Sequence, residues 1–401
     1  MKLKRILGST LLPALIVMAS ATACLHETMT QEALVSDAKN QPATQKGSAA
    51  MNQQARDKFI NNQAWPDSNG VHINAHGGGF LFHDGVYYWF GEHKIAGEAG
   101  NAAMVGIHCY SSKDLYNWRD EGIAMPVSED PSSEIAKSCV IERPKVIYNA
   151  KTGKFVMWFH LERTGSDYKD GLTGLAVADK VAGPYTYVKS LRPNAGIWPM
   201  NVADVEKLND PGAIWLKRGF KGGQMSRDMN LFLDDDGKAY HIDASEANHT
   251  LHIRELSDDF LSFTGRYTRV FPGKFNEAPA ICKRDGRYWM LSSGCSGWNP
   301  NPARSAVADS MLGEWSELGN PCEEVNPKNH LGPEKTFGGQ STYILPVNGK
   351  PGAFIAIFDV WTPKNPIDGG YIWLPMEFDV GRFKVAWRDE WDLSFFDKKG
   401  N

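Results

Sequence analysis

The chain has 401 residues, of which 42% are hydrophobic and 11% aromatic, and its formal net charge is −4. These values exclude an intrinsically disordered chain, allow a large core and give no basis for nucleic-acid binding. The thirteen Trp and thirteen Tyr residues favour a protein that stacks on flat ligand faces, although packing between sheets must account for most of them.

The N-terminus carries the pattern of a targeting signal. The basic start MKLKR precedes a largely apolar run over residues 6–19, and the small residues of ATAC end at Cys24. This resembles a bacterial lipoprotein signal, so residues 1–23 are predicted to be removed and Cys24 to be acylated. The residue after Cys24 is Leu25 rather than Asp, which predicts sorting to the outer membrane. The protein is expected to be a lipoprotein on the periplasmic or cell-surface face, with this anchor as its only membrane contact.

A polar segment follows the signal. Residues 24–60 are rich in Gln, Ala, Ser, Thr and Asn and show no apolar periodicity, which is typical of a flexible tether. Residues 61–401 are predicted to form one folded domain, which is expected to act as a monomer.

Five cysteines lie beyond Cys24, and none of them forms a CxxC spacing. A zinc site is therefore not expected, and at most two disulfides could form, with partners that the sequence does not give. Cys282 lies within a predicted strand and is expected to be a small core residue.

One hairpin pattern recurs along the domain. Asp285 and Gly286 lie between two apolar runs, which is the strongest short-range signal of a hairpin because both central residues of its turn need positive φ. Counting back nine positions from Gly286 leads to Glu277. The same count from the other turn glycines, with two extra positions in the second copy, leads to His76 before Gly85, Glu142 before Gly153, Asp228 before Gly237 and Gln340 before Gly349. Five hairpins thus present one polar residue at the same leading position, although hairpins often begin after polar residues.

A second hairpin follows each of these, with an apolar run, an Asp and usually an aromatic residue. Two hairpins make a four-stranded sheet, and five such sheets predict an all-β, five-bladed β-propeller. A radial repeat of this kind is one cooperative unit despite its length. A β-sandwich is the alternative architecture, but it would not explain five equivalent leading residues.

The first strand of each blade lines the axis of a propeller, so the five leading residues are expected to converge at one axial mouth. Three of them are acids, which repel one another unless a ligand, a cation or a shared proton compensates. Ion pairing with Arg143 or Arg227 is the structural alternative. Carboxylates in an aromatic-rich cleft suit glycosidic bond cleavage, in which one acid protonates the leaving oxygen and a group on the opposite face directs water.

Eight sequence blocks, spread over all five predicted blades, resemble a known family. They are INAHGGG (73–79), YYWFGEHK (87–94), CYSSKDLYNW (109–118), IERPKVIYN (141–149), SRDMNLFLDDDGKAY (226–240), NEAPA (276–280), SSGCSGW (292–298) and FGGQST (337–342). From about Trp65 to Leu393 the chain resembles glycoside hydrolase family 43, and most closely its exo-β-1,3-galactanase (galactan 1,3-β-galactosidase) branch. The resemblance implies an exo-acting enzyme that releases galactose from β-1,3-galactan or arabinogalactan, with inversion.

The resemblance also implies roles for the leading residues. Glu277 matches the general acid, and Asp228 matches the acid that orients it and modulates its pKa. The wider family has an Asp base in the first blade, where this chain has His76. In the galactanase branch a glutamine matching Gln340 is thought to hold the attacking water. Glu142 is the alternative base and is otherwise implied to bind sugar hydroxyls.

His76 is expected to contact substrate and could take a proton, although packing beside three glycines is the alternative. Glu92 and Asn248 end second strands and are expected to face the pocket, with loop capping as the alternative. Trp298 and Trp361 follow inner strands and are expected to stack on galactose, with core packing as the alternative.

The connection Lys189–Ser226 is the longest between blades, and it is expected to wall the pocket or to supply a positive subsite. No cofactor is required by this chemistry, and the resemblance allows a structural calcium ion in the axial channel. The HGGG sequence at 76–79 has no accompanying GxSxG, which excludes an esterase.

Two other functions stay open. The chain could be an α-L-arabinofuranosidase or β-xylosidase of the same family, or a non-catalytic sugar-binding propeller. Retention of both Glu277 and Asp228 favours an enzyme, because binding alone does not need a protonated carboxyl.

Overall fold

The protein is built almost entirely from β-strands. The computed structural model describes residues 55–202 and 213–397. In these ranges the helical segments are α1 (Ala213–Gly222) and the 3-10 turns Gly100–Ala103, Pro333–Gly338, Pro366–Asp368 and Leu393–Asp397. No helix in the described part of the chain has both the length and the apolar character needed to cross a bilayer. The predicted signal, Cys24 and the predicted tether up to residue 54 lie outside the described residues.

After a short strand, β1 (Phe59–Ile60), four sheets of four strands follow in chain order. The first comprises β2 (His76–His83), β3 (Val86–Lys94), β4 (Met104–Ser112) and β5 (Arg119–Pro126). The second comprises β6 (Val140–Asn149), β7 (Lys154–Glu162), β8 (Leu172–Ala178) and β9 (Thr186–Leu191). The third comprises β10 (Met229–Leu233), β11 (Ala239–Ser245), β12 (Thr250–Leu256) and β13 (Phe263–Val270). The fourth comprises β14 (Asn276–Arg284), β15 (Arg287–Gly294), β16 (Ala303–Ala308) and β17 (Trp315–Gly319).

The remaining strands form smaller sheets. One three-stranded sheet comprises β19 (Gln340–Pro346), β20 (Phe354–Val360) and β21 (Gly370–Pro375). Another comprises β18 (Cys322–Glu323), β22 (Glu377–Asp379) and β23 (Arg382–Ala386), with β18 parallel to β23. Strand β24 (Glu390–Trp391) pairs with β1. The prediction of an all-β propeller with four-stranded blades is confirmed, whereas the count of five blades stays a prediction.

The predicted hairpin turns form where the sequence indicated them. Asp285 and Gly286 both have positive φ, 53° and 76°, and connect β14 to β15 with Arg284 opposite Arg287. Asp84 and Gly85 do the same between β2 and β3. Because a type I′ turn fixes the register of its strands, these pairs set which side chains of each inner strand face the axis.

Polar side chains join the inner strands across the axis. Lys145 of β6 donates to the Gly77 carbonyl of β2 at 2.8 Å. Asn230 of β10 donates to the Pro279 carbonyl of β14 at 2.9 Å, and Ser341 of β19 donates to the Ala278 carbonyl at 2.8 Å. The axis is thus filled by hydrogen-bonded protein groups, which hold the first strands at fixed positions.

The core consists of apolar clusters between neighbouring sheets. The cluster between the first sheet and the β19–β21 sheet is rich in buried indoles: Trp65, Trp89, Trp118, Trp373 and Trp391. Nine of the thirteen tryptophans are buried, so most of them pack in the interior, which was the alternative to stacking on ligands. None of the five cysteines in the described part of the chain forms a disulfide, and Cys282 lies in the core as predicted.

Strand β1 lies just before the predicted domain boundary at residue 60. Phe59 is fully buried and lies opposite Trp391 in the β1–β24 pair. The predicted tether, which ran to residue 60, therefore overlaps strand β1. The sequence did not indicate this strand, because two adjacent apolar residues give no periodic signal.

Candidate active site

A repeated backbone irregularity positions the leading residues. The pairing of first and second strands shifts just after His76, Glu142 and Glu277. In each case the next residue has a left-handed conformation, with φ of 62° at Gly77, 55° at Arg143 and 52° at Ala278. A bulge re-aims a side chain at a strand end, so these residues turn toward the axial mouth. Two of the three left-handed positions are not glycine, and such strain is typical of functional sites.

Glu277, Asp228 and Gln340 lie together at this mouth. The Gln340 amide nitrogen donates to Glu277 Oε1 at 2.9 Å, and Asp228 accepts from the Ala278 N–H at 3.2 Å. Burial, followed by the negative charge of Asp228, raises the pKa of Glu277 to about 8. Glu277 therefore keeps its proton at neutral pH, as a general acid must.

The Gln340 side chain has all its hydrogen-bonding positions occupied. Its carbonyl oxygen accepts from Arg143 at 2.7 Å and from the indole of Trp361 at 2.9 Å. Its nitrogen donates to Glu277 and, at 3.1 Å, to Ser293. Since guanidinium and indole groups can only donate, the oxygen must face them. Gln340 can hold an attacking water only if one of these partners is displaced.

Arg143 connects two members of the site. Its guanidinium lies 3.0 Å from Asp228 and donates to Gln340, and it is 4% exposed. Ion pairing of Arg143 with a leading acid, the structural alternative in the sequence analysis, therefore does occur, but only Asp228 takes part. Arg227 instead approaches Glu162, at 3.9 Å.

Glu142 lies in a separate hydrogen-bonded group. Its carboxylate accepts from Asn101 at 2.7 Å and Tyr168 at 3.2 Å, and His160 lies 2.8 Å away. Burial raises the pKa of Glu142, but the bond and charge of His160 outweigh it, so the pKa is lowered. His160 itself also contacts Glu162, and the two carboxylates raise its pKa to about 9 against the effect of burial. Glu142 is therefore ionised beside a histidine cation.

Glu92 and His76 lie deeper than predicted. Glu92 is 1% exposed and pairs with Lys94 at 2.7 Å. His76 is 3% exposed, stacks on Tyr371 at 4.7 Å and lies under Trp361 at 5.5 Å. Burial, together with the charge of Lys94, lowers the pKa of His76 to about 3. The packing alternative is the one that fits His76, since its ring is buried against Tyr371 and Trp361.

The two predicted stacking tryptophans form one wall. Trp298 is 40% exposed, and its ring meets Trp361 edge to face at 5.5 Å. Arg143 lies 5.4 Å above the Trp361 ring. The buried Oδ1 of Asn248 has no hydrogen-bond partner, which a sugar hydroxyl would supply. Trp298 is thus free to stack on a ligand, whereas Trp361 is mainly held in place by its neighbours.

Sequence reasoning missed several side chains that complete the site. They are Lys94, Asn101, Arg143 as partner of Gln340, His160, Tyr168, Ser293 and Cys295, whose thiol hydrogen bonds to Glu277. Most of them are brought to the mouth by neighbouring blades or by loops, so no spacing in the sequence marked them. The only available signal was that Arg143 and Ser293 directly adjoin predicted strand ends.

The site does not fit a metal ion. Among the described residues, Glu142, His160 and Asp228 offer one atom each within 4.8 Å of one another. Calcium prefers six to eight oxygen ligands, and a histidine whose pKa is about 9 is a cation at neutral pH. Lys145 and Arg143 occupy the axis where the calcium ion was expected. The proposed reaction therefore uses no metal ion.

A polar cleft of about 650 Å³ lies elsewhere, at the turn end of the first sheet. Arg56, Tyr88 and Lys113 help to line it, and its Arg119 and Glu121 neutralise each other at 2.5 Å. It contains none of the five leading residues, so the candidate active site is the axial mouth.

The comparisons with known proteins point to one family. Residues 80–331, well over half of the chain, match the profile of Glycosyl hydrolases family 43. A family 43 β-1,3-galactosidase solved with galactodeoxynojirimycin is 51% identical over 84% of this chain and 100% of its own, with a TM-score of 0.76. The exo-β-1,3-galactanase 1,3Gal43A from Clostridium thermocellum is 34% identical over 83% of this chain and 66% of its own, with a TM-score of 0.69.

Among curated proteins, a xylosidase/arabinosidase from Butyrivibrio fibrisolvens is 22% identical over 52% of this chain and 43% of its own length. The chain spans less than half the length of the curated relatives that it matches. The extent of the profile match and the 51% identity over a whole solved chain nevertheless suffice to classify it. The chain belongs to glycosyl hydrolases family 43.

Proposed function

We propose that this glycosidase is an exo-β-1,3-galactanase, which removes galactose from the end of β-1,3-galactan or arabinogalactan chains. The observation that carries the chemistry is a protonated carboxyl, Glu277, beside a second carboxylate in a walled mouth. The substrate is supported by the solved neighbours, named as β-1,3-galactosidase and exo-β-1,3-galactanase, over more than four fifths of this chain.

In the proposed reaction Glu277 donates its proton to the glycosidic oxygen. Its Oε1 accepts from Gln340, so Oε2 is left to carry the proton to the leaving group. Burial and, after it, the negative charge of Asp228 raise the pKa of Glu277 and keep it protonated. Glu142, Asn248 and Trp298 surround the sugar that is cleaved, through a carboxylate, an unpaired amide oxygen and an apolar face.

For the opposite face we propose that Gln340 positions the attacking water after releasing Ser293. With its oxygen held by Arg143 and Trp361, the amide orients water but does not remove its proton. The ionised Glu142 is the alternative base. Azide distinguishes the two, because it needs no base: it should restore turnover, as the α-glycosyl azide, only in the variant that lacks the base, Gln340→Ala or Glu142→Ala.

The function is tested by product analysis. The soluble form without its signal is incubated with β-1,3-galactobiose, arabinofuranosides and xylobiose. We expect galactose from galactobiose alone, first as the α-anomer by NMR, and a loss of at least 100-fold in Glu277→Gln. Arabinose or xylose as the main product would instead assign the chain to the other activity of the family. Binding of these sugars without turnover would indicate the sugar-binding alternative.

We also infer that the propeller has five blades. The first strands β2, β6, β10, β14 and β19 contact one another in ring order, and β19 closes onto β2. The sheet of β18, β22 and β23 packs on β21, so we regard it as an addition to the fifth blade.

We further propose that the enzyme is a monomeric outer-membrane lipoprotein anchored at Cys24. The basic and apolar pattern of residues 1–23 supports the signal. Metabolic labelling with palmitate should mark the wild type and not Cys24→Ser. Label in both variants would contradict the anchor.

A further inference from the structure

One large apolar side chain beside the general acid is exposed. Phe275 lies two positions before Glu277 and is 42% exposed. Its backbone has a φ of 55°, a conformation that bulky residues rarely adopt. Folding gains neither burial nor a relaxed backbone from a phenylalanine here, so a role outside folding is indicated.

Neighbouring rings hold Phe275 in this place. The His249 ring lies 4.3 Å from the Phe275 ring, and the Trp215 ring lies 5.7 Å from His249. Arg218 covers Trp215 at 4.8 Å. The stack therefore begins on α1, in the long connection between the second and third sheets, and ends at the exposed ring of Phe275.

The position of this ring relative to the acid is fixed by the backbone. The Phe275 carbonyl accepts from the N–H of Cys295 at 3.2 Å, and the Cys295 thiol hydrogen bonds to Glu277. A general acid lies beside the oxygen that joins the departing part of the substrate to the cleaved sugar. Phe275 and His249 lie on the loops beside β12 and β14, whereas Glu142 lies on β6 of another sheet. We therefore expect the ring next to Glu277 to meet the departing part.

We propose that Phe275, supported by His249 and Trp215, is the stacking surface for the sugar that leaves. This inference rests on the proposed function and extends it to the substrate: the departing unit is an uncharged pyranose with an apolar face, the next galactose of a β-1,3-linked chain. Aromatic rings bind such faces by stacking. The surface explains why an exo-acting enzyme would prefer chains to single galactosides.

The test compares two substrates that differ only in the departing group. β-Galactosyl fluoride places no ring next to Phe275, whereas β-1,3-galactobiose does. In Phe275→Ala the ratio of kcat/KM for galactobiose to that for the fluoride should fall about 10-fold, the loss of one aromatic contact. Phe275→Tyr should keep the wild-type ratio. The matched control is Phe82→Ala, a 36% exposed phenylalanine at the far end of the first sheet, which should not alter the ratio.

Binding is measured by calorimetry in the Glu277→Gln background, which does not hydrolyse the substrate. This variant should bind galactobiose more tightly than galactose, and adding Trp215→Ala or Phe275→Ala should erase most of that difference. This inference alone would be overturned if the wild type releases galactose but Phe275→Ala keeps the wild-type kcat/KM ratio and the wild-type difference in affinity between galactobiose and galactose. A wild type that releases no galactose would overturn the proposed function and this inference together.

Discussion

At the scale of single residues, the protonation of Glu277 depends on its neighbours rather than on its own chemistry. An ordinary glutamate is ionised at neutral pH, but burial and the charge of Asp228 raise the pKa of Glu277 to about 8. The bonds from Gln340 and Cys295 and the charge of Arg143 act in the opposite direction. The general acid therefore loses its proton above about pH 8, and activity should fall there.

Replacing Asp228 by Asn should shift the pH at which activity falls on the basic side of the pH profile. Without the carboxylate, the pKa of Glu277 decreases, so the limb of the kcat/KM profile shifts to lower pH and kcat falls about 100-fold. Asp285→Asn, in an exposed turn on the same strand pair, is the control and should keep the wild-type profile. A limb that stays at its wild-type pH in Asp228→Asn would show that Asp228 does not raise the pKa of Glu277.

The sequence located the leading residues well, because the distance from a hairpin turn to a strand end is local. The counts from Gly286 and Gly349 led to Glu277 and Gln340, which do hydrogen bond to each other. It could not show that Arg143 holds Gln340, because β6 and β19 are far apart in the chain. Nor could it show that His76 packs against Trp361, since this contact depends on the loop after β20, which is far away in the chain.

At the scale of elements, the β6–β7 hairpin carries a charged unit that supports the site. His160 of β7 lies 2.8 Å from Glu142 of β6 and 3.1 Å from Glu162. The turn and register that the sequence indicated place Glu142 opposite His160. The negative site residue Glu142 is thus neutralised within its own hairpin, which leaves Arg143 for Asp228 and Gln340.

This unit predicts a pH-dependent stability. The pKa of His160 is raised from 6.5 to about 9 in the fold, so its contribution is complete below pH 6.5 and is lost as the pH rises through 9. Urea unfolding should show His160→Gln to be less stable than wild type by about 3 kcal/mol at pH 6, and the difference should shrink by pH 9.5. His330→Gln, at an exposed histidine, serves as control. A difference that does not change with pH would mean that His160 is not charged.

At the scale of the whole molecule, the first and last strands of the described chain pair beside the junction of two sheets. Strand β1 pairs with β24, and the Asn61 side chain bonds to both the N–H and the carbonyl of Trp373, at 2.7 and 3.0 Å. Trp373 lies in β21 and packs against Trp89 of β3 at 5.4 Å. The N-terminal strand thus covers the junction between the first blade and the last one, which no local sequence pattern could indicate.

The pairing of β1 with β24 predicts that Phe59 contributes to the stability of the whole fold. Its ring is fully buried and contacts Trp391 at 4.5 Å and Trp373 at 5.6 Å. Removing a buried phenylalanine side chain costs about 3–5 kcal/mol, so Phe59→Ala should lower the urea midpoint of the single unfolding transition, as followed by tryptophan fluorescence. Phe82→Ala should change it little, because that ring is 36% exposed. If Phe59→Ala merely releases the N-terminal strand to protease and leaves the midpoint unchanged, the β1–β24 pair lies outside the cooperative unit, and the ring closes through its inner strands alone.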